Sequence, residues 1–288
     1  MDALISWFPL ESISALSVTE LSFTLLIGSV IGFALGLTGV GGGVLMIPIL
    51  RGLFGMNPVL AVGTASLCAF LMKINAAAIH IRMGNISWKK SGLMLAGAIP
   101  ATFLTTRQIV ALTQNPEMTG LINSTVDAMV IAVILVSLAS MVYKDLKSRK
   151  TEVVDNANQA DDQTSVTHIA PWRPFLAGIG SGVVIGATGV GGGVLLLPIL
   201  TVMLQVNIKQ AIGSSIVIAL LLSGLSAITY GEGGQADMTT AVILIAGSML
   251  GMPIAGKLMG RIAERTLHRV TLGLISASAL MMLSSSIA

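Results

Sequence analysis

Gly32 to Leu50 reads GFALGLTGVGGGVLMIPIL, and Gly182 to Leu200 reads GVVIGATGVGGGVLLLPIL. Thirteen of the nineteen aligned positions are identical at an offset of 150 residues, which chance does not produce. The register continues without a gap: Asn57 pairs with Asn207, Ala61 with Ala211, Gly63 with Gly213, Gly84 with Gly234 and Gly97 with Gly247. The chain is an internal duplication, and such self-similarity has to be settled before any local reading.

Around this repeat the 288 residues are 54% hydrophobic and 10% charged, with a mean hydropathy of +0.89. Soluble domains carry roughly 25% charged residues. Several apolar runs reach the roughly 20 residues that a helix needs to cross about 30 Å of hydrocarbon, and 32 glycines favour close helix packing. The net charge is +3, but the basic residues lie in short loops between apolar segments, which points to membrane orientation rather than to nucleic acid. The single cysteine, Cys68, excludes a disulfide framework and a multi-cysteine metal site. Residues 1–20 hold Asp2, Glu11 and Glu20 and no lysine or arginine, so they lack the basic start of a cleaved signal peptide and read as an outer tail.

Lys144 to His168 is polar and nearly free of large apolar groups, as a solvated linker should be. It divides a first membrane repeat, 21–143, from a second, 173–288, with 144–172 between them. Each half reads as an apolar stretch broken by Gly-x-Gly-Gly-Gly and then three helices, at 60–82, 92–110 and 126–143, and at 208–230, 239–258 and 270–287. If each broken stretch crossed once, the loop lysines and arginines would fall seven on one side and eight on the other. If the glycines turn the chain back, thirteen lie on one side and only Arg51 and Arg107 on the other, a clear positive-inside signal.

Three crossings per half insert the second half upside down, with both termini outside and the linker cytoplasmic. The expected fold is therefore an all-α polytopic membrane protein of two inverted-topology repeats, each with a glycine-broken re-entrant helix pair plus three transmembrane helices. Val44 to Phe54 would span only about 16 Å, half a membrane.

A half-helix at mid-membrane leaves backbone groups unpaired, so the break must face protein or a cavity. In Thr38-Gly-Val-Gly-Gly-Gly43 and Thr188-Gly-Val-Gly-Gly-Gly193 the missing β-carbons admit φ > 0 and close approach. They also set free N–H donors at a helix start, where the dipole attracts anions. Gly39, Gly41, Gly42, Gly43, Gly189, Gly191, Gly192 and Gly193, with Thr38 and Thr188, are the candidate substrate-binding residues. Gly32 and Gly36, spaced on one face, read instead as packing positions. Pro48 and Pro198 should kink or stop the returning helix, and Asn57 and Asn207 read as helix N-caps.

Lys73 sits near the centre of an apolar span, too deep for its side chain to reach the surface. Ser66, Lys73 and His80 recur every seven residues and share one helical face. Lys73 could hold an anion, titrate, or be satisfied by helix carbonyls. Thr64, Ser66, Asn75, Ser214 and Ser215 are candidates to line the site or to bond neighbouring helices. No carboxylate lies deep in the expected spans, and Asp127, Glu232 and Asp237 read as solvated charges near the outer face. With no nucleophile, base and acid set, an enzyme is not expected, and no cofactor or metal is implied.

The doubled G-x3-G-x2-G-x-GGG-x4-P, the duplication and the polar central linker resemble the TauE/SafE sulfite exporter family, also called the TSUP anion permeases. The resemblance runs from about residue 21 to the C-terminus. It implies transport of a small sulfur-containing anion, such as sulfite, thiosulfate or a sulfonate, across a prokaryotic cytoplasmic membrane, and it carries over the two glycine-rich segments. The reading is an alternating-access carrier, export favoured, driven by a coupling proton or other ion. An anion channel, or an uptake permease for another small organic anion, is the alternative.

Overall fold

The computed structural model describes residues 16–38, 43–151, 170, 172–190, 193–259 and 264–287, and every regular element among them is helical. In the first half these are α1 (Val18–Thr38), α2 (Gly43–Gly52), α3 (Pro58–Arg82), α4 (Trp88–Thr113) and α5 (Pro116–Thr151). In the second they are α6 (Trp172–Thr188), α7 (Gly193–Pro198), α8 (Ile208–Glu232), α9 (Met238–Met259) and α10 (Glu264–Ile287). Within 21–50 the described residues form two helices, α1 to Thr38 and a ten-residue helix from Gly43.

Six segments are long and apolar enough to cross a bilayer: Val18–Leu37, Pro58–Arg82, Trp88–Thr113, Pro116–Ala139, Ile208–Glu232 and Met238–Ala255. Large apolar side chains such as Val18, Leu26, Val202, Leu250 and Leu280 stand largely exposed on the outside. Hydrocarbon is the solvent that such a surface suits, and the chain is a multi-pass membrane protein.

Local chemistry sets the helix starts. Asn57 Oδ1 accepts from the Leu60 N–H at 2.8 Å with Pro58 at the first helical position, and Asn207 Oδ1 accepts from the Lys209 N–H at 3.1 Å. Both asparagines are therefore N-caps, as their place in the repeat predicts. Pro48 is accommodated inside α2 without ending it. After Pro198 the α-helix widens into a π-turn over Ile199–Met203, the response expected where proline removes a donor and crowds the preceding turn.

The two halves exchange helices. A β-carbon built on Gly28 or Gly32 of α1 would lie 2.4 or 2.3 Å from the carbonyl oxygen of Leu244 or Ser248 on α9, and one on Gly36 would lie 2.6 Å from Ala255 Cβ. Residue numbers rise together along both helices, so α1 and α9 run parallel at backbone contact. The repeat-related pair does the same: β-carbons on Gly178 and Gly182 of α6 would lie 2.0 and 2.5 Å from the Met94 and Ala98 oxygens of α4. Gly32 and Gly36 are packing positions, as their spacing suggests.

At the centre α3 and α8, equivalent in the repeat, cross antiparallel. Gly63 lies against Tyr230, Phe70 against Gly224, and Ala77 clusters with Val217. Two matched contacts lock them to the opposite half. The Asp237 N–H donates to Thr64 Oγ1 at 2.9 Å and the Ser87 N–H to Ser214 Oγ at 3.0 Å. Beside these, β-carbons on Gly63 and Gly213 would each lie 1.9 Å from a loop carbonyl, of Gln235 and Asn85. Every member of one set is 150 residues from its counterpart.

The structure corrects several expectations. The third helix of the first half begins at Pro116, not 126, because Asn115 Oδ1 accepts from the Glu117 N–H and so starts the helix earlier. Asp127 then falls midway along the Pro116–Ala139 apolar segment, is buried, and pairs with the Arg51 guanidinium. It is not a solvated loop charge. Asp237 caps α9, its carboxylate accepting from the Thr240 N–H at 3.0 Å and hydroxyl at 2.6 Å. The helix of α5 continues to Thr151, past Lys144 where the polar linker was expected to begin. The rest of that linker, 152–169 and 171, and residues 1–15 of the outer tail lie outside the described residues.

Candidate functional site

The two glycine breaks are neighbours. Gly43, the first residue of α2, faces the second break so closely that a β-carbon there would lie 2.7 Å from the Gly189 oxygen and 2.9 Å from Val190 Cα. Gly189 has φ +61, a backbone region that side chains disfavour, and it rests on α3: a β-carbon would lie 2.9 Å from both Ser66 Oγ and the Val62 oxygen. Gly193 opens α7. Gly39, Gly41, Gly42, Gly191, Gly192 and the side chain of Thr38 lie outside the described residues.

Buried apolar side chains enclose this junction. In α2, Val44, Met46, Ile47 and Leu50 are fully buried, with Val62, Ala65 and Val190 in the same cluster. Irregular backbone at membrane depth is tolerated only inside protein in this way. An α-helix that starts at Gly43 leaves its first four N–H groups, Gly43 to Met46, without carbonyls of its own helix. Its positive dipole end points into the junction, where negative charge is favoured.

The sequence-predicted residues fall into two groups. Ser66, Thr188, Gly43 and Gly189 come together. Ser66 donates to the Val62 carbonyl at 2.8 Å, and Thr188 donates to the Val184 carbonyl at 2.6 Å while accepting from the Val190 N–H at 3.3 Å. The others stand apart. Thr64 and Ser214 hold the loops described above, Ser215 donates to the Ile212 carbonyl at 2.8 Å, and Asn75 is exposed. Lys73 is half-buried about two helical turns from Ser66 on the same face, and its ammonium donates back to the Ala69 carbonyl at 3.4 Å.

Tyr230 completes the junction and was not singled out as a site residue. It is fully buried, and its hydroxyl donates to the Gly186 carbonyl at 2.7 Å. That carbonyl is among the last four of α6, which have no partner within the helix. A tyrosine in the last turn of an apolar helix, at the place His80 occupies in the first half, is the available signal. Tyr230→Phe should cost about 1–2 kcal/mol by stranding a buried carbonyl. A thermal unfolding midpoint in detergent equal to that of the parent protein would contradict this.

Known proteins are similar to this chain over most of its length. Residues 24–282 match the family described as sulfite exporter TauE/SafE. The "Probable membrane transporter protein YjnA" of Bacillus subtilis is 26% identical over 89% of this chain and 97% of its own length. A "Probable membrane transporter protein" of Haemophilus influenzae is 29% identical over 71% of each chain, and one of Methanocaldococcus jannaschii is 26% identical over 73% of this chain and 72% of its own. No solved structure matches the chain. A helical, multi-pass protein with a duplicated glycine break, matched over nearly its whole length, belongs to the TauE/SafE family of membrane transporters.

Proposed function

We propose that this transporter is an alternating-access carrier that moves a small sulfur-containing anion, such as sulfite, thiosulfate or a sulfonate, with export favoured, and that the paired glycine breaks bind it. The observation that carries this is the contact between Gly43 and the Gly189–Val190 segment, which sets one glycine break against its repeat-related counterpart inside the protein.

Inverted repeats account for the surrounding geometry. Equivalent helices crossing antiparallel, as α3 and α8 do, are what a two-fold axis in the membrane plane produces. A re-entrant path is supported by the Phe23 and Phe54 rings, whose centroids are 6.3 Å apart. They bring the start of α1 beside the end of α2, as a chain that enters and leaves on one face requires. α1 is long enough to cross by itself. However, if α1 and α6 each crossed fully from opposite faces, their ends would lie about 30 Å apart, whereas the breaks that follow them touch.

The charge bias then places both termini outside and the linker in the cytoplasm. Repeats 21–143 and 173–288 are not the moving bodies, because α1 is bound to α9 and α6 to α4. The units that rock combine helices from both halves.

Purified protein in liposomes tests the reading: sulfite, thiosulfate or sulfonate flux should saturate and show counterflow. Flux that rises linearly with concentration and lacks counterflow would make the protein a channel. Lys73 supplies positive charge on the face of α3 that leads to Ser66. Lys73→Met should weaken anion affinity about tenfold, as the loss of one charge-assisted contact does; an unchanged dissociation constant would remove Lys73 from the site.

A further inference from the structure

Arg51, in the last turn of α2, and Asp127, midway along the α5 apolar segment, form the single ion pair among the described residues, and both side chains are almost completely buried. Two polar atoms beside them have no hydrogen-bond partner among the described residues: Arg51 Nε, a donor, and Asn123 Oδ1, an acceptor. Asn123 is four residues before Asp127 and so lies on the same face of α5. The repeat has no second copy of this cluster, for Thr201, Gly273 and Ala277 stand at the equivalent positions. Thr201 merely donates to the Leu197 carbonyl at 2.8 Å.

We infer that the Arg51, Asp127 and Asn123 cluster couples anion movement to a proton. This rests on the carrier reading above and supplies its driving ion. The argument is one of charge. The bare pair is neutral, as is the pair carrying one proton while one monovalent anion sits at the glycine breaks. The pair with either one alone buries a net charge, which is costly away from water. Proton and anion are therefore taken up and released together.

The two unpartnered atoms are those the loaded state needs. A proton from the aqueous phase bound at Asp127 makes a new O–H donor, for which Asn123 Oδ1 is the free acceptor. The released guanidinium, with Arg51 Nε already free, then supplies the positive charge that balances the anion bound at the glycine breaks, at the other end of α2.

Among the described residues, no other charged group intervenes on the elements packed against this cluster. On α10, Glu264, Arg265, His268 and Arg269 lie in the first two turns, whereas α2 meets that helix near Met281, against Gly52. On α3, Lys73 donates to its own helix and His80 and Arg82 lie in the last turn. On α4, Lys89 and Lys90 are in the first turn, and Arg107 is exposed over the Phe103 ring. On α5 itself Glu117 is exposed in the first turn and Lys144 begins the far end, and on α6 Arg173 stacks on Trp172.

The test uses liposomes holding full-length protein, with methanesulfonate, which keeps one charge across the neutral range, and sulfite as probes. A gradient of one pH unit should concentrate methanesulfonate about tenfold, as one-to-one linkage requires. Asp127→Asn should keep counterflow and lose gradient-driven accumulation, and its affinity for methanesulfonate should no longer depend on pH. The neutral double variant Arg51→Gln/Asp127→Asn should lose accumulation and bind the anion at least tenfold more weakly. Accumulation by Asp127→Asn that still follows the gradient would reduce the pair to a structural tether and overturn the inference. So would saturable parental flux that ignores the gradient, which decides the matter even if the single variant does not fold and which leaves the carrier reading standing. Absence of saturable flux of both probes in the parental protein overturns the carrier reading and the coupling with it.

Discussion

Gly43→Leu and Gly189→Leu should each reduce sulfur-anion uptake into liposomes at least about tenfold while the protein still inserts in the membrane. The reason is backbone contact. At Gly43 a β-carbon alone would sit 2.7 Å from the Gly189 oxygen and 2.9 Å from Val190 Cα, and neither can rotate aside as a side chain could. The two breaks must separate, and donors placed for one ligand no longer converge on it. At Gly189 the φ of +61 adds a left-handed penalty of about 1–2 kcal/mol for any side chain, on top of contact with Val62 and Ser66. The left-handed penalty alone is about five- to thirtyfold in an equilibrium between a binding-competent and a distorted site, and the backbone contacts add to it. Uptake at the parental rate in both variants would remove the breaks from the transport site.

The second large effect separates two glycines on the same turn of α6. Gly178→Leu should lower the unfolding midpoint in detergent by several degrees or prevent folding, for overpacking costs about 1–3 kcal/mol and a β-carbon there would already be 2.0 Å from the Met94 oxygen. Gly180→Leu makes the same chemical change two residues away, where nothing lies within 4 Å of the added atom. There the substitution should be neutral or stabilise by up to about 1 kcal/mol, since glycine is a poor helix former. One residue faces α4 and the other faces outward. Equal melting behaviour in the two variants would refute the exchange of helices between halves, because that exchange is the only reason Gly178 lacks room.

The helix ends around the candidate site are legible in the sequence. The consecutive glycines mark where α1 and α6 stop, and the asparagines mark where α3 and α8 start, because conformational freedom and capping are properties of the residue and its immediate neighbours. Ser66 and Thr188 were named from their chemistry and lie at the junction, whereas Thr64 and Ser214 were named on the same grounds and serve instead to fasten loops 83–87 and 233–237. Composition cannot separate these roles: a hydroxyl in an apolar helix looks the same whether it meets a break or a loop. Asp127 was misplaced for a related reason, since its burial depends on where α5 begins and its neutralisation on an arginine 76 residues away.

By itself the sequence determined the membrane environment, the duplication and the positions of the helix breaks. Each of these follows from residue type and spacing along the chain. Only the tertiary structure decided that the breaks touch, that α1 and α6 pack in the opposite halves, and that Arg51 meets Asp127. A repeat states which residues are equivalent, but contact between equivalents depends on how the two copies are turned against each other, and that is settled by packing across the interface.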